Sequence, residues 1–416
     1  MRILGITCLC SIVLTLPSAA LQSSNAGELY RNGLAAYNSG DYEKAVEQLK
    51  RAAAMSPNVP DYRYSLGLAY LKSGRAKEAV RELEAVRGMI GLRRQTRVKE
   101  PQVLLHIASA YIQLDKLDSA KKRLEMVLDR EPELVEAHYS LALIAQREGR
   151  QEDALRHFEL LLAADPNHPD ANLVMADWLR GQGREEDALE KLRHASDGAP
   201  DDFSVQMVFG TVAFELGAME DAEDAFRKAI KLEPGHPGAQ FNLATVLLAK
   251  KGYADAIRLL EPLASGDPPH DGAAYNLAQA YRASGRSEEA VTTLAELLGR
   301  ALDYPQANFS MGLLQEELGD LEGAEKSYRK EVEVQPQFLS AYLNLAALLE
   351  RRSQMEEAVE LLKQALTLEL EEEQSTQIRE AIEVLENKSS PTKQEFERSG
   401  KQGPDHESYL PGFLIS

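Results

Sequence analysis

The sequence predicts an all-α solenoid built of stacked helix-turn-helix repeats. The first observation is a period, because an alanine returns in register ten times, at intervals of 34 residues apart from one interval of 41. The alanines are Ala45, Ala79, Ala120, Ala154, Ala188, Ala222, Ala256, Ala290, Ala324 and Ala358. A second observation is a glycine or alanine twelve positions before each of them. Since a unit of this length is too small to bury its own apolar face, copies must stack and share one continuous core.

Each copy contains two predicted helices. A large apolar residue stands four positions after every registered alanine, for example Leu49 and Phe226, so that both lie on one helical stripe. The turn between the helices carries a glycine in seven copies, as expected where a helix ends in a left-handed residue. These glycines are Gly40, Gly74, Gly149, Gly183, Gly217, Gly285 and Gly319. Asp115, Lys251 and Ser353 replace the glycine in the other three copies, where we expect looser helix ends.

This pattern resembles the tetratricopeptide repeat, whose signature is a 34-residue unit with Leu-Gly, Tyr, Ala, Phe and Pro at fixed offsets. The segments YSLGLAYLKSGRAKEAVRELEAV and FNLATVLLAKKGYADAIRLLEPL carry it. The resemblance implies a right-handed superhelical solenoid of ten copies over residues 26–370. Apolar residues at helical spacing predict a capping helix over 371–388. The polar composition of residues 389–416 predicts a disordered tail.

The first twenty residues differ from the rest. Arg2 precedes an apolar run of 14 residues and then small residues, which is the layout of a secretory signal peptide cleaved after Ala20. We therefore expect an exported protein, periplasmic or extracellular, and the alternative is an uncleaved N-terminal anchor. Cys8 and Cys10 both lie in this segment, so the processed chain would contain no disulfide, thiolate metal site or cysteine nucleophile.

Charge and motifs disfavour several classes of function. The formal net charge is −19, which disfavours nucleic acid as a partner because its binding needs a cationic stripe. The signatures of serine hydrolases, P-loop proteins, zinc proteases and dinucleotide-binding folds are absent, so we expect no enzyme and no cofactor. His168, His236 and His270 occupy one loop position of three copies. We interpret them as turn residues and expect no metal site.

The 41-residue interval places seven extra residues after copy two. Seven residues are about two helical turns, so the simplest prediction is a longer second helix in that copy. The insertion near 87–100 is basic, and it is a candidate patch for docking an acidic partner or an anionic membrane surface. Its basic residues are Arg87, Arg93, Arg94, Arg97 and Lys99. The alternative is a basic helix face that pairs with neighbouring carboxylates.

The resemblance also implies a peptide-binding groove, because the first helices of this family line a concave face. The inner row, defined here as the residues three positions before each small residue, is apolar or aromatic throughout. It consists of Tyr30, Tyr64, Leu105, Tyr139, Leu173, Met207, Phe241, Tyr275, Phe309 and Leu343. Tyr and Phe give a large contact area at low entropic cost. The alternative is that these side chains simply pack between neighbouring first helices.

One position further along stands the asparagine row, Asn242, Asn276 and Asn344, with Ser310 between the last two. An amide both donates and accepts, so this row suits an extended peptide backbone, although asparagine is also a common residue at this position of the repeat. The other groove positions are apolar in copies one to three and polar later. The candidate groove residues are Tyr30, Tyr37, Tyr64, Leu68, Leu71, Ile112, Tyr139, Phe241, Asn242, Tyr275, Asn276, Phe309 and Asn344.

These features favour a non-enzymatic scaffold that binds proteins or extended peptide segments in a periplasmic or cell-surface assembly. The alternatives are a repeat-containing subunit accessory to a glycosyltransferase or another enzyme, and a self-associating structural solenoid. On the groove hypothesis, Tyr64→Ala with Leu71→Ala weakens partner capture and leaves the helices intact. The last residues, YLPGFLIS, are apolar again, and we hypothesise that they are a ligand for a groove of this or another copy of the chain.

Overall fold

The computed structural model describes residues 25–90 and 98–389, which are helical throughout apart from short connections and contain no strand. The helices are α1 Asn25–Asn38, α2 Tyr42–Met55, α3 Pro60–Lys72, α4 Ala76–Ile90, α5 Glu100–Gln113, α6 Leu117–Leu128, α7 Val135–Arg147, α8 Gln151–Ala164, α9 Pro169–Gly181, α10 Glu185–Gly198, α11 Phe203–Glu215, α12 Met219–Leu232, α13 Pro237–Ala249, α14 Tyr253–Ala264, α15 Asp271–Ala283, α16 Ser287–Arg300, α17 Ala307–Glu317, α18 Leu321–Val334, α19 Leu339–Arg351, α20 Met355–Ala365 and α21 Glu372–Ser389. The predicted all-α class of stacked helical hairpins is confirmed.

The chain divides into two compact units, Met1–Val205 and Gln206–Ser416, and the division falls within α11. Odd-numbered helices up to α19 are the first helices of the ten copies, and even-numbered helices are the second. In the first unit each helix from α1 to α9 packs on the next one along the chain. In the second unit the same alternation continues from α12 to α21. Every copy therefore shares its apolar faces with its neighbours in the same unit.

The small residue of each first helix accommodates the large residue of the second helix. A Cβ atom added to Gly33 would lie 2.6 Å from Cγ of Leu49, and one added to Gly312 would lie 2.5 Å from Cε1 of Tyr328. Real side-chain atoms do not approach so closely. The registered alanines are buried as well. The 34-residue period is thus a period of close packing between the two helices of a hairpin.

The turn after the first helix has one geometry in copies with and without glycine. In copy eight, Gly285 has φ +78°, its N–H donates to the carbonyl of Arg282, and the next N–H donates to the carbonyl of Tyr281. Lys251 in copy seven has φ +61° and makes the equivalent bonds to Leu248 and, through the following residue, to Leu247. This pair of bonds is the Schellman motif. The three copies that lack the glycine therefore keep the same helix end, which corrects the expectation of looser ends.

The three loop histidines are the N-cap residues of α9, α13 and α15. Nδ1 of His168, His236 and His270 accepts a hydrogen bond from the backbone N–H three residues later, at N···Nδ1 distances of 3.4, 3.2 and 3.0 Å respectively. Each histidine thereby satisfies one of the N–H groups left without a partner at a helix N-terminus. Within residues 25–90 and 98–389, no group of three or more His, Cys, Asp or Glu side chains is arranged to hold a metal ion.

Several predicted segments lie wholly or partly outside the described residues. They are the signal peptide at 1–20, the tail from residue 390 onward, and residues 91–97 of the insertion. The described part of α4 ends at Ile90, so the two-turn extension of this helix stays a prediction. The last helix, α21, packs on α20, and its Ile378, Ile382 and Leu385 are buried in a shared cluster. None of the helices in the described ranges is both long and apolar enough to cross a membrane.

Candidate functional site

The inner row changes from buried to partly exposed and back along the chain. Tyr30, Tyr64 and Leu105 of copies one to three are buried. The members in copies four to eight are partly exposed, and they are Tyr139, Leu173, Met207, Phe241 and Tyr275. Phe309 and Leu343 of copies nine and ten are buried again. A single repeat position therefore has two environments, and only the middle members offer surface to a partner.

In the first copies the inner row connects one copy to the next. The Tyr30 ring stacks on Tyr62 with centroids 4.5 Å apart, and its hydroxyl lies 3.0 Å from Oγ of Ser65 in copy two. Burial raises the pKa of the Tyr30 phenol to about 12. The Tyr64 hydroxyl lies 3.3 Å from Nδ1 of His106 in copy three. These tyrosines serve as packing and hydrogen-bonding links between neighbouring first helices.

The other candidate groove residues of copies one to three are buried too. Tyr37, Leu68 and Leu71 belong to one core cluster together with Tyr30 and Tyr64, and Ile112 lies in the next cluster. The reason is that the side chains at these positions are apolar in neighbouring copies and cover one another. The expected apolar end of the groove is therefore not a surface in the described residues. Six candidate residues therefore pack between neighbouring first helices, as in the alternative interpretation. They are Tyr30, Tyr37, Tyr64, Leu68, Leu71 and Ile112.

In copies seven and eight the aromatic residue of the inner row is partly exposed and contacts an aromatic ring that follows it in the sequence. The Phe241 ring stacks on His270 with centroids 4.8 Å apart, and the Tyr275 ring lies 5.4 Å from that of Tyr304. Tyr139 has the same kind of neighbour in His168, at 5.1 Å. In every case the partner ring stands 29 residues later, immediately before or near the start of the next first helix. This 29-residue spacing is present in the sequence, but a comparison of single repeat positions does not reveal it.

The three members of the asparagine row differ in their hydrogen-bond partners. Nδ2 of Asn276 donates to Oγ1 of Thr245 in the preceding copy at 3.2 Å, and Nδ2 of Asn344 donates to the carbonyl of Ser340 in its own helix at 2.9 Å. Within the described part of the chain, the half-buried Asn242 amide has no hydrogen-bond partner. Asn242 therefore keeps a donor and an acceptor for a ligand, and Asn276 keeps its acceptor.

The corresponding residues of copy nine, Phe309 and Ser310, are buried, so the partly exposed surface of copies seven and eight ends there. Oγ of the buried Ser310 accepts from Nε2 of Gln279 at 2.9 Å and lies 3.2 Å from the Tyr275 hydroxyl. Phe309 packs against Tyr328 and Phe338, with centroids 5.7 and 5.1 Å away. We name four partly exposed residues of copies seven and eight, Phe241, Asn242, Tyr275 and Asn276, the aromatic-amide surface. It combines ring faces with amide groups, and these groups suit an extended polypeptide backbone.

The basic insertion is only partly described. Arg87 lies on α4 with its Nε 3.5 Å from Oε2 of Glu84, a carboxylate that also accepts from Nη2 of Arg123 at 2.8 Å. Lys99 is exposed just before α5. Arg93, Arg94 and Arg97 lie outside the described residues. Arg87 thus follows the alternative of pairing with neighbouring carboxylates, and the docking role of the whole patch stays a prediction.

A recurrent loop contact was not foreseen from the sequence. The residue four positions before the small residue bonds to the carbonyl of the proline that closes the preceding copy, as Arg63 does to Pro57 at 3.0 Å. The other such pairs are His138 with Pro132, Asn172 with Pro166, Gln240 with Pro234 and Tyr342 with Pro336. These side chains differ in every copy, so no residue identity repeats. The contact fixes the inter-copy loop and has a structural role.

Comparison with known families supports the repeat assignment. Two family models, both described as tetratricopeptide repeat, match most of the chain. The first matches residues 30–88, 105–169 and 309–369, and the second matches 145–208, 213–264 and 247–308. Between them they extend from copy one to copy ten.

Individual relatives match the chain in part or at low identity. A curated protein, the TPR repeat-containing thioredoxin TTL4 of Arabidopsis thaliana, is 34% identical over 107 residues, 26% of this chain, and the chain spans only 14% of its length. The structure of yeast Tom70 is 14% identical, with a TM-score of 0.42, over 91% of this chain and 99% of that one. MamA from Desulfovibrio magneticus RS-1 is 22% identical, with a TM-score of 0.38, over 41% and 96%. YrrB, described as a TPR protein with an unusual peptide-binding site, is 18% identical, with a TM-score of 0.36, over 45% and 97%. At these identities the three structures are similar in fold alone.

Proposed function

The chain belongs to the tetratricopeptide repeat family, and we propose that it is a scaffold that binds extended peptide segments of other proteins on its aromatic-amide surface. This repeat is typically a non-catalytic module that mediates protein–protein interaction. The finer proposal is that the chain acts in a periplasmic or cell-surface assembly. The signal-peptide pattern of residues 1–20 supports export, and the binding surface supports a role in assembly.

One observation carries the binding proposal. Phe241 with Asn242 and Tyr275 with Asn276 occupy the same two repeat positions on α13 and α15, which contact each other. All four side chains are half-buried, so they are held in place by their neighbours yet reachable from solvent. Rigid aromatic rings beside amides that keep a donor or an acceptor for a ligand bind a peptide through ring contacts and backbone hydrogen bonds, with little requirement for one peptide sequence.

A random 12-residue peptide library displayed on phage tests this proposal with the full chain immobilised. We expect peptides selected on the wild type to bind Asn242→Ala with Asn276→Ala at least tenfold more weakly, because two lost hydrogen bonds of about 1 kcal/mol each correspond to roughly thirtyfold. The matched control is Asn344→Ala, which removes an asparagine that bonds within its own helix. Selected peptides that bind the double variant as tightly as the wild type would contradict the proposal.

Export is tested separately. Expression of the full chain in a bacterial host, followed by osmotic-shock release and N-terminal sequencing, is expected to yield a periplasmic protein that begins at Leu21. A protein that keeps Met1 and stays with the membrane fraction would support the uncleaved anchor instead. The outcome of this experiment does not affect the peptide-binding test.

A further inference from the structure

A second surface lies between the helices of copies six and seven. It is a cavity of about 420 Å³ bounded by α12, α13 and α14. Its apolar lining comes from Ile230, Leu243, Leu247 and Leu259. Leu243 and Leu247 of α13 are almost fully buried, so they form the floor of the cavity. We name this cavity the cationic pocket, for the charged residues described next.

Three basic side chains also line the cavity, and they are Arg227, Lys231 and Arg258, against the single carboxylate of Asp255. Arg227 pairs with Glu223 at 2.7 Å, and Arg258 pairs with Asp255. Lys231 is exposed and makes no ion pair within the described part of the chain. Exposed ion pairs contribute little free energy, so the two arginines exchange partners readily. The lining is therefore positive in a chain whose formal charge is −19.

The repeat itself shows that this concentration of positive charge is local. Arg227 and Lys231 stand five and nine positions after the registered alanine of copy six, and Arg258 stands two positions after that of copy seven. Nine junctions between consecutive copies present the same three positions. At the junction of copies four and five they hold Glu159, Ala163 and Glu190. Only the junction of copies six and seven has a basic residue at all three, and the packing of the repeat does not require it.

The chain contains one segment with matching chemistry. Residues 404–416, PDHESYLPGFLIS, have no lysine or arginine, and their two carboxylates precede a run of bulky apolar side chains. We propose that residues 404–416 bind in the cationic pocket of the same molecule. Asp405 and Glu407 then face the basic residues, and apolar side chains of the segment cover the leucine floor. The burial of apolar side chains and the neutralisation of the basic residues both favour this contact.

A covalent linker raises the local concentration of a segment at any site within its reach. Residues 390–403 connect α21 to the segment, and 14 residues span at most about 48 Å when fully extended. A segment of a second molecule has no such linker, so its binding depends on the concentration of free protein.

Hydrogen exchange measured by mass spectrometry on the full chain at low micromolar concentration tests the proposal. We expect the amides of residues 404–416 to exchange at least tenfold more slowly than an unstructured peptide. Lys231→Glu with Arg258→Glu is expected to return them to the unstructured rate. Adding Asp405→Lys with Glu407→Lys to that variant restores opposite charges and is expected to restore the slow exchange.

The matched control is Lys326→Glu with Lys330→Glu, two charge reversals on the exposed face of α18, which should leave the segment protected. Unstructured rates in the wild type, or protection that survives the pocket variant, would overturn the proposal. So would protection that grows with protein concentration, because a second molecule would then supply the segment. Exchange within α12 to α14 serves as the check that the pocket variant is folded.

Discussion

Copies one to three and copies seven and eight place different environments at the same repeat positions. In the early copies the inner-row residues Tyr30 and Tyr64 are core side chains, whereas Phe241 and Tyr275 in the later copies remain partly exposed. The difference arises at the neighbouring positions. The residue after the small residue is Leu68 in copy two, but it is polar in copies seven and eight. Apolar neighbours cover a ring, and polar neighbours stay hydrated and leave its edge open.

This comparison shows that repeat register and burial are separate properties. Register follows from the close packing of small and large residues, which is the same in every copy. Burial of an inner-row ring depends on several side chains contributed by adjacent copies. A candidate binding residue in such an array is therefore identified by its neighbours as well as by its own position.

The largest expected effect comes from Tyr64→Ala with Leu71→Ala in copy two. Both side chains are buried, so their removal leaves cavities between neighbouring first helices. We expect a loss of about 5 kcal/mol in the free energy of unfolding, since buried Leu→Ala and aromatic→Ala changes each cost about 2–5 kcal/mol. Urea unfolding followed by circular dichroism measures the loss. This outcome replaces the expectation that the helices stay intact.

The equivalent substitutions in copy seven, Phe241→Ala with Leu248→Ala, provide the matched comparison. Both residues are half-buried, so we expect a loss of about 2 kcal/mol, less than half that in copy two. Because long arrays do not always unfold in one step, hydrogen exchange of the substituted helices accompanies the urea data. Equal losses in the two copies would break the distinction between a buried and an exposed inner row.

The second effect is a pH dependence that arises from His106 in copy three. His106 stands at the asparagine-row position, and it is buried, with Nδ1 2.5 Å from the carbonyl of Gln102. Desolvation lowers its pKa from 6.5 to about 4. The unfolded chain therefore binds more protons between these two values. The contribution of the neutral His106 to the free energy of unfolding is fully present above pH 6.5, and it is lost as the pH falls toward 4.

Protonation of His106 in the unfolded chain lowers the free energy of unfolding at pH 4.5 by roughly 2.5 kcal/mol relative to pH 7.5. His106→Asn introduces the residue that copies seven and eight have at this position. We expect the change in unfolding free energy between pH 7.5 and pH 4.5 to be smaller in the variant by about that amount, as measured by urea titration at both values. Asn276→His is the reciprocal change, and it should add little acid sensitivity because Asn276 is only half-buried. An unchanged pH dependence in His106→Asn would show that its imidazole is solvated.

The sequence predicts the helical hairpin well because its determinants are local and repeated. Gly33 and Leu49 illustrate this, since one pair of positions recurs in every copy and has one geometric solution. The surface was less predictable. Tyr64 and Tyr275 have the same residue type and register, but their exposure depends on side chains from other copies. The contact of Phe241 with His270 requires the inter-copy distance, which no single repeat position encodes.

The smallest effect concerns the helix end that both regions share. Lys251 in copy seven and Gly285 in copy eight make the same two backbone hydrogen bonds with φ near +60° and +80°. A left-handed conformation costs a non-glycine residue about 1 kcal/mol, so Lys251→Gly is expected to stabilise the chain by that amount. Gly285→Lys should destabilise it equally, since a Cβ atom at Gly285 meets no neighbouring atom and only the backbone strain changes. Urea midpoints of the two variants and of the combined exchange measure this. A combined variant with wild-type stability would show that the turn geometry is fixed by the packing of the hairpin and that glycine only lowers its conformational cost.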